Sequence, residues 1–155
     1  MRMIVNSEIS IEVPEGFSEM TEAEIREAYR QDYSDRWAIR DSERHIIICI
    51  QWHKNNALMA SLADPESLIK NFESKISKAM KDNSYSLIGF GRTELCGIDA
   101  PSFRHTYQVE GVDQTSEVCI FKHGKVVYTV YSYYRTGDAL AEDTIQNLLS
   151  TMFMA

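Results

Sequence analysis

The amino-acid sequence predicts an α+β fold whose strands pair mainly antiparallel, with three main helices. Three observations predict it. Amphipathic helical stretches stand near each end and near the middle, runs of β-type sequence lie between them, and the connections between those runs are short and polar. Short polar connections favour hairpins over the long crossovers of a parallel sheet. No internal repeat, low-complexity segment or linker divides the chain, so residues 1–155 are expected to form one domain. A chain of this length can bury about 68–70% of its unfolded surface and needs no staple to fold.

Residues 2–5 and 9–13 flank Asn6-Ser7-Glu8, and Ile9, Ile11 and Val13 alternate with Ser10 and Glu12. That is the pattern of a β-hairpin with one buried face. Pro14-Glu15-Gly16 ends it, because proline has no N–H for a ladder and glycine frees the backbone, and Phe17 is expected to pack back onto the core. A helix over 22–30 follows from Thr21 as cap, Glu24 completing a capping box, and Met20 with Ile25 as a hydrophobic staple. Residues 37–40 and 45–52 then read as two strands around the turn Asp41-Ser42-Glu43-Arg44. The run Ile46-Ile47-Ile48-Cys49-Ile50 is apolar on both faces, which places it in a strand covered on both sides.

Asp64 as cap and Pro65 as first helical residue set a second helix over 65–81. Its buried stripe is Leu68, Phe72, Ile76 and Met80, with Ile69 and Ala79 beside them, and its lysines and Glu73 form the wet face. Strands over 85–95, 102–110, 116–121 and 126–134 follow, the last two joined by Lys122-His123-Gly124-Lys125 as in an antiparallel meander. Asp138 caps a last helix in which Ile145, Leu148, Leu149 and Met152 repeat at helical spacing, and the chain is expected to end in that docked helix.

The composition, 44% hydrophobic and 25% charged, is that of an ordinary globular chain. A formal net charge of −7 argues against a broad nucleic-acid surface, because phosphate contacts need clustered Lys and Arg. The densest basic spot, Arg36, Arg40 and Arg44, is interleaved with Asp32, Asp35, Asp41 and Glu43, which largely cancel its field. The first residues lack the apolar core of an export signal, and no stretch approaches the roughly 18 apolar residues of a membrane span. A cytoplasmic protein with no nucleic-acid or membrane partner is therefore expected. Cys49, Cys96 and Cys119 are odd in number, widely spaced and without a C-x-x-C pair, and they read as reduced, mostly buried small hydrophobes.

No group of residues points to catalysis, a cofactor or a metal. Cys49 and His53 stand four apart on one strand, about 13 Å at roughly 3.3 Å per residue, too far to converge on one ion. Cys96, His105, Cys119 and His123 meet only if tertiary folding brings them together, and core cysteines with surface histidines are the simpler reading. Gly89-Phe90-Gly91-Arg92 lacks the third glycine and the following helix of a phosphate loop, and reads as a β-bulge or a close backbone contact. There is no G-x-S-x-G elbow, and the scattered acidic residues suit a solvated surface. Tyr128, Tyr131, Tyr133 and Tyr134 alternate between the two faces of one strand, which suits packing under helices better than a base-stacking platform. The least conventional stretch is the connection over 55–63, which carries Leu58, Met59 and Leu62. It is either a short packed helical turn or a partner-binding patch.

The stretch Ile11-Glu12-Val13-Pro14-Glu15-Gly16-Phe17, the run from Gly97 through Pro101 to Tyr107, and Gly124-Lys125-Val126-Val127-Tyr128-Thr129-Val130 stand in an order the chain shares with a known group. Hairpin, helix, strand pair, central helix, meander and final helix resemble the PsbP-like superfamily, which includes the Mog-type Ran-binding proteins. The resemblance covers nearly the whole chain and implies an α/β/α sandwich around a central antiparallel sheet. It also implies an accessory or binding protein without established catalysis, and it carries over no functional residue. The expected function is a non-enzymatic accessory or protein-interaction module without a cofactor, with Leu58, Met59 and Leu62 as its candidate contacts. A toxin-neutralising or secretion-associated role is a special case, since an acidic surface suits a basic partner. The rival is a small-molecule binder or cryptic hydrolase with a pocket between sheet and helix, rimmed by residues such as Arg104, His105 or Tyr107.

Overall fold

The structure is a computed structural model and describes residues 1–29 and 35–155. In chain order its elements are β1 (Arg2–Val5), β2 (Ile9–Glu12), β3 (Ser18–Glu19), α1 (Glu22–Tyr29), β4 (Arg36–Asp41), β5 (Ile46–Lys54), α2 (Ala57–Leu62), α3 (Pro65–Ala79), β6 (Ser86–Leu95), β7 (Ile98–Val109), β8 (Val112–His123), β9 (Val126–Arg135), α4 (Ala139–Leu149) and β10 (Phe153–Met154). Seven strands form the central sheet in the order β3-β4-β5-β9-β8-β7-β6. Every neighbouring pair in it is antiparallel. The expected α+β fold is present, an antiparallel sheet between layers that include three main helices, α1, α3 and α4.

Alternation along β5 decides what lies on each face. Ile46, Ile48 and Ile50 join a cluster with Tyr128 and Val130 of β9, Ile9 and Ile11 of β2, and Ile145, Leu148, Leu149 and Met152. Cys49, one residue out of phase, joins Tyr131, Phe103, Val118, Ile25 of α1 and Ile69 of α3, with Leu68, Phe72 and Ile76 packed against them. One face is therefore covered by α4 and the N-terminal hairpin, the other by α1 and α3. The tyrosines of β9 divide in the same way, Tyr128 and Tyr134 inward on the first face and Tyr131 on the second.

The helix signals in the sequence are all used. Glu24 N donates to Thr21 Oγ1 and Thr21 N to Glu24 Oε1, both at 3.2 Å, closing the capping box. Asp64 accepts from Glu66 N at 3.2 Å and Asp138 from Ala141 N at 3.0 Å. Met20 and Ile25 are buried in one cluster, and Phe17 packs against the other.

Several boundaries differ for identifiable reasons. The strands beginning at 102 and 116 start earlier, at Ile98 and Val112, because two-residue turns at Cys96-Gly97 and Glu110-Gly111 take positive φ at both positions (54° and 73°, 51° and 79°). Such turns match strand twist and hold the ladder together to its tip. His45 lies in the turn with φ 57°, outside the strand it was expected to open. Ala79 is exposed, and Glu73 accepts a hydrogen bond from Tyr85 Oη at 2.9 Å instead of standing in water. The chain does not end in its last helix: β10 adds to β2, pairing Phe153 with Ser10 and Met154 with Ile9. The small sheet β1-β2-β10 is thus separate from the central one. Ile88 is the extra residue of a bulge in β6, since Leu87 pairs with His105 and Gly89 with Arg104. Gly89 itself faces open space. Residue 30, the expected last residue of the first helix, and Asp32 beside the basic spot lie outside the described residues.

Ile48 is fully buried where β5 meets the first cluster. Ile48→Ala is expected to destabilise by about 2–5 kcal/mol, seen as a lower denaturant midpoint at unchanged slope; a loss below about 1 kcal/mol contradicts this placement of the core.

Candidate functional site

The connection over 55–63 folds into α2, a helix fixed at both ends. Asn56 caps it, accepting from Met59 N at 2.8 Å. At its other end Lys122 of β8 donates from Nζ to Ala60 O at 2.9 Å and Ala63 O at 3.0 Å, a cation placed on the last carbonyls of the helix. Only Ala60 is buried. Leu58 and Leu62 are each 69% exposed and Met59 53%. The helical turn expected from the sequence is present, but its three large apolar side chains point away from the core.

A groove of about 660 Å³ lies between α2, α3 and the sheet. Met59, Leu62, Leu68, Phe72, Ile120 and Val127 supply its apolar lining, and His53, Asp64 and Lys75 its charged or titratable groups. The exposed ridge of α2 and this groove form one continuous surface, because Met59 and Leu62 belong to both.

A second cavity, about 540 Å³, lies on the same face of the sheet toward the ends of α1 and α3. Ala28, Ile46, Ile47, Met80, Tyr107 and Tyr133 line it, with Arg40, Asp41 and His45 among its polar groups. Of the three residues expected at a sheet–helix pocket, Tyr107 is there. Arg104 is on the opposite face, paired with Glu117 at 3.8 Å and bonded to Tyr134 and Glu142. Hydrogen bonds from Arg104 and Tyr134 hold the Glu142 carboxyl below its ordinary range. The basic spot is likewise engaged: Arg40 pairs with Glu24 at 2.5 Å, Arg44 with Asp41 at 3.2 Å, and Arg36 donates to Gln51 at 2.6 Å.

His105 is a buried histidine, not a surface one, with 1% of its area exposed. Its ring stacks on Tyr85 at 5.1 Å and lies 5.6 Å from both Phe103 and Tyr107. Among the described residues neither ring nitrogen has a hydrogen-bond partner, nor has the Oγ of Ser116, the residue opposite it on β8. The sequence signal was its phase, since Phe103, His105 and Tyr107 share one face of a strand. Cys49 and Cys119 are buried and Cys96 half-buried. Among the described residues no group of three or more His, Cys, Asp and Glu is placed to hold a metal ion. Among them, too, no helix is long and apolar enough to cross a membrane.

Burial pushes His105 from 6.5 down to about 4. The unfolded chain therefore takes up a proton below about pH 6.5 that the native protein refuses, and stability is lost as pH falls from there to about 4. The loss expected from this residue is about 3 kcal/mol, and His105→Leu should remove that part of the slope in urea titrations across the window. Parallel pH profiles for parent and variant contradict it.

No protein-family model matches the chain, and no curated protein matches it in sequence. Its fold is found in solved structures. PsbP (CyanoP) from Synechocystis sp. PCC 6803 superposes with a TM-score of 0.67 at 10% identity, over 100% of this chain and 92% of that one. The Saccharomyces cerevisiae Ran-binding protein Mog1p gives 0.56 at 8% identity, over 92% and 86%. A Bacteroides thetaiotaomicron VPI-5482 protein gives 0.58 at 17% identity over 95% of this chain, which spans only 45% of that protein's length. The sheet order, the layer on each face and these superpositions give the chain a PsbP/Mog-like fold.

Proposed function

We propose that the protein is a non-enzymatic accessory module of the cytoplasm, residues 1–155 acting as one domain, that binds another protein through Leu58, Met59 and Leu62 and the groove beside them. The observation that carries this reading is three large apolar side chains held exposed on one short helix. Scattered exposed apolar residues are ordinary, but adjoining ones beside an apolar groove are the mark of an interaction surface. Asn56 and Lys122 fix α2 before any partner arrives, which lowers the ordering cost of binding. The fold neighbour described as Ran-binding gives the same reading support by analogy.

Leu58→Lys with Met59→Lys should leave stability within about 0.5 kcal/mol, because neither side chain packs in the core. The folded variant is expected to lose a partner that the tagged parent captures from native lysate. Equal capture by both removes α2 from the interface, and turnover of a defined substrate, abolished by a point mutation that leaves the fold intact, overturns the non-enzymatic reading.

A second reading is favoured by the cavity that Tyr107 lines: a small-molecule binder, or a hydrolase whose site forms there. A ligand at a hundredfold excess over its dissociation constant would stabilise the native state by about 2.7 kcal/mol in a thermal-shift screen. A hit of that size, lost in Tyr107→Ala and unaffected by Leu58→Lys, would move the function to the cavity.

A further inference from the structure

The segment that carries α2 and α3 is opposite in charge to the rest of the chain. Within residues 53–81 five lysines, Lys54, Lys70, Lys75, Lys78 and Lys81, stand against Asp64, Glu66 and Glu73, a formal charge of +2 that leaves −9 on the remainder of a chain whose total is −7. All five lysines are exposed. Among the described residues none of them is in an ion pair. The three acids are occupied: Asp64 caps α3, Glu66 pairs with Arg92 at 2.5 Å, and Glu73 accepts from Tyr85. Only Glu66 is neutralised by a cation; Asp64 and Glu73 keep their charge, and the lysines outnumber them.

The position of two of these lysines relative to the groove is specific. Lys75 lines the groove and Lys78 stands one turn further along the same helix. Apolar lining and cationic rim thus occupy one site.

We infer that this face docks an acidic peptide segment of the partner, its apolar side chains entering the groove beside Met59, Leu62 and Phe72 and its Asp and Glu residues meeting Lys75 and Lys78. The inference rests on the protein-binding reading and names the chemistry of the partner. It also sets aside the basic partner that the whole-chain charge would suit, because complementarity is decided by the charge at the contact, not by the net charge of the chain.

The full chain is used as bait for a display library of random 15-residue peptides, with the Met59→Lys, Leu62→Lys variant as the subtracting control. Peptides kept by the parent alone are expected to be rich in Asp and Glu beside Leu, Ile or Phe. Their binding to purified protein should weaken about tenfold or more in Lys75→Glu with Lys78→Glu, less in Lys75→Ala, and again between about 0.1 M and about 1 M salt. All variants alter exposed side chains, and thermal unfolding verifies that each is folded. Enriched peptides that depend on Met59 and Leu62 but are neutral or basic overturn the acidic partner and leave the protein-binding reading standing. No enrichment that depends on this face overturns both.

Discussion

The structure depends on two adjacent strands that are apolar on both faces. β5 and β9 pair antiparallel near the middle of the sheet, and consecutive residues, Ile48 and Cys49 on one and Val130 and Tyr131 on the other, point into different cores. Each such side chain contributes about 1.5–3 kcal/mol only if water is excluded from its own side, so both faces must be roofed. The first roof is built from the N-terminal hairpin, β10 and α4, and the second from α1 and α3. Tyr128 of β9 fastens the first: its ring is fully buried beside Phe121, while its hydroxyl donates to Glu8 and accepts from Asn6 Nδ2 in the hairpin turn.

The second roof leaves room for function. α3 packs through Ile69, Leu68, Phe72 and Ile76, and the chain reaching it from β5 passes over the sheet as α2 with only Ala60 buried. A helix of six residues is too short to hold itself together, so its order comes from Asn56 and Lys122 and not from packing. Polar fastening of this kind frees Leu58, Met59 and Leu62 from the core and leaves them on the surface beside the lysines of α3. The other end of the sheet is guarded instead. β6 has an exposed edge, but its bulge at Ile88 and the charges of Arg92 and Glu94 make it a poor template for another strand.

Much of this was legible in the sequence where a local rule and the tertiary outcome agree. Thr21 with Glu24, Asp64 with Pro65, and Asp138 mark helix starts because the groups they satisfy lie within three residues. The run from Ile46 to Ile50 announces a two-sided strand because alternation has nothing polar to spare. The turns at Cys96-Gly97 and Glu110-Gly111 were harder, since cysteine and glutamate do not advertise a left-handed backbone and the partner strand imposes it. The pairing of β10 with β2 spans nearly the whole chain, and two residues carry no pattern of their own. Among candidate site residues, the sequence pointed to Leu58, Met59 and Leu62 because apolar side chains in a connection are out of place. It misplaced His105 because a histidine's type says surface while its phase, shared with Phe103 and Tyr107, says core.

The sequence by itself determined the α+β class, the helix starts and the two-sided character of β5 and β9, because each follows from contacts between near neighbours or from the two-residue period of a strand. Only the tertiary structure decided which layer covers which face, which of Arg104, His105 and Tyr107 reaches a cavity, and that the side chains of α2 face outward. Those outcomes depend on contacts between residues far apart in the chain, such as Lys122 with Ala60 and Tyr128 with Glu8, and no local spacing encodes them.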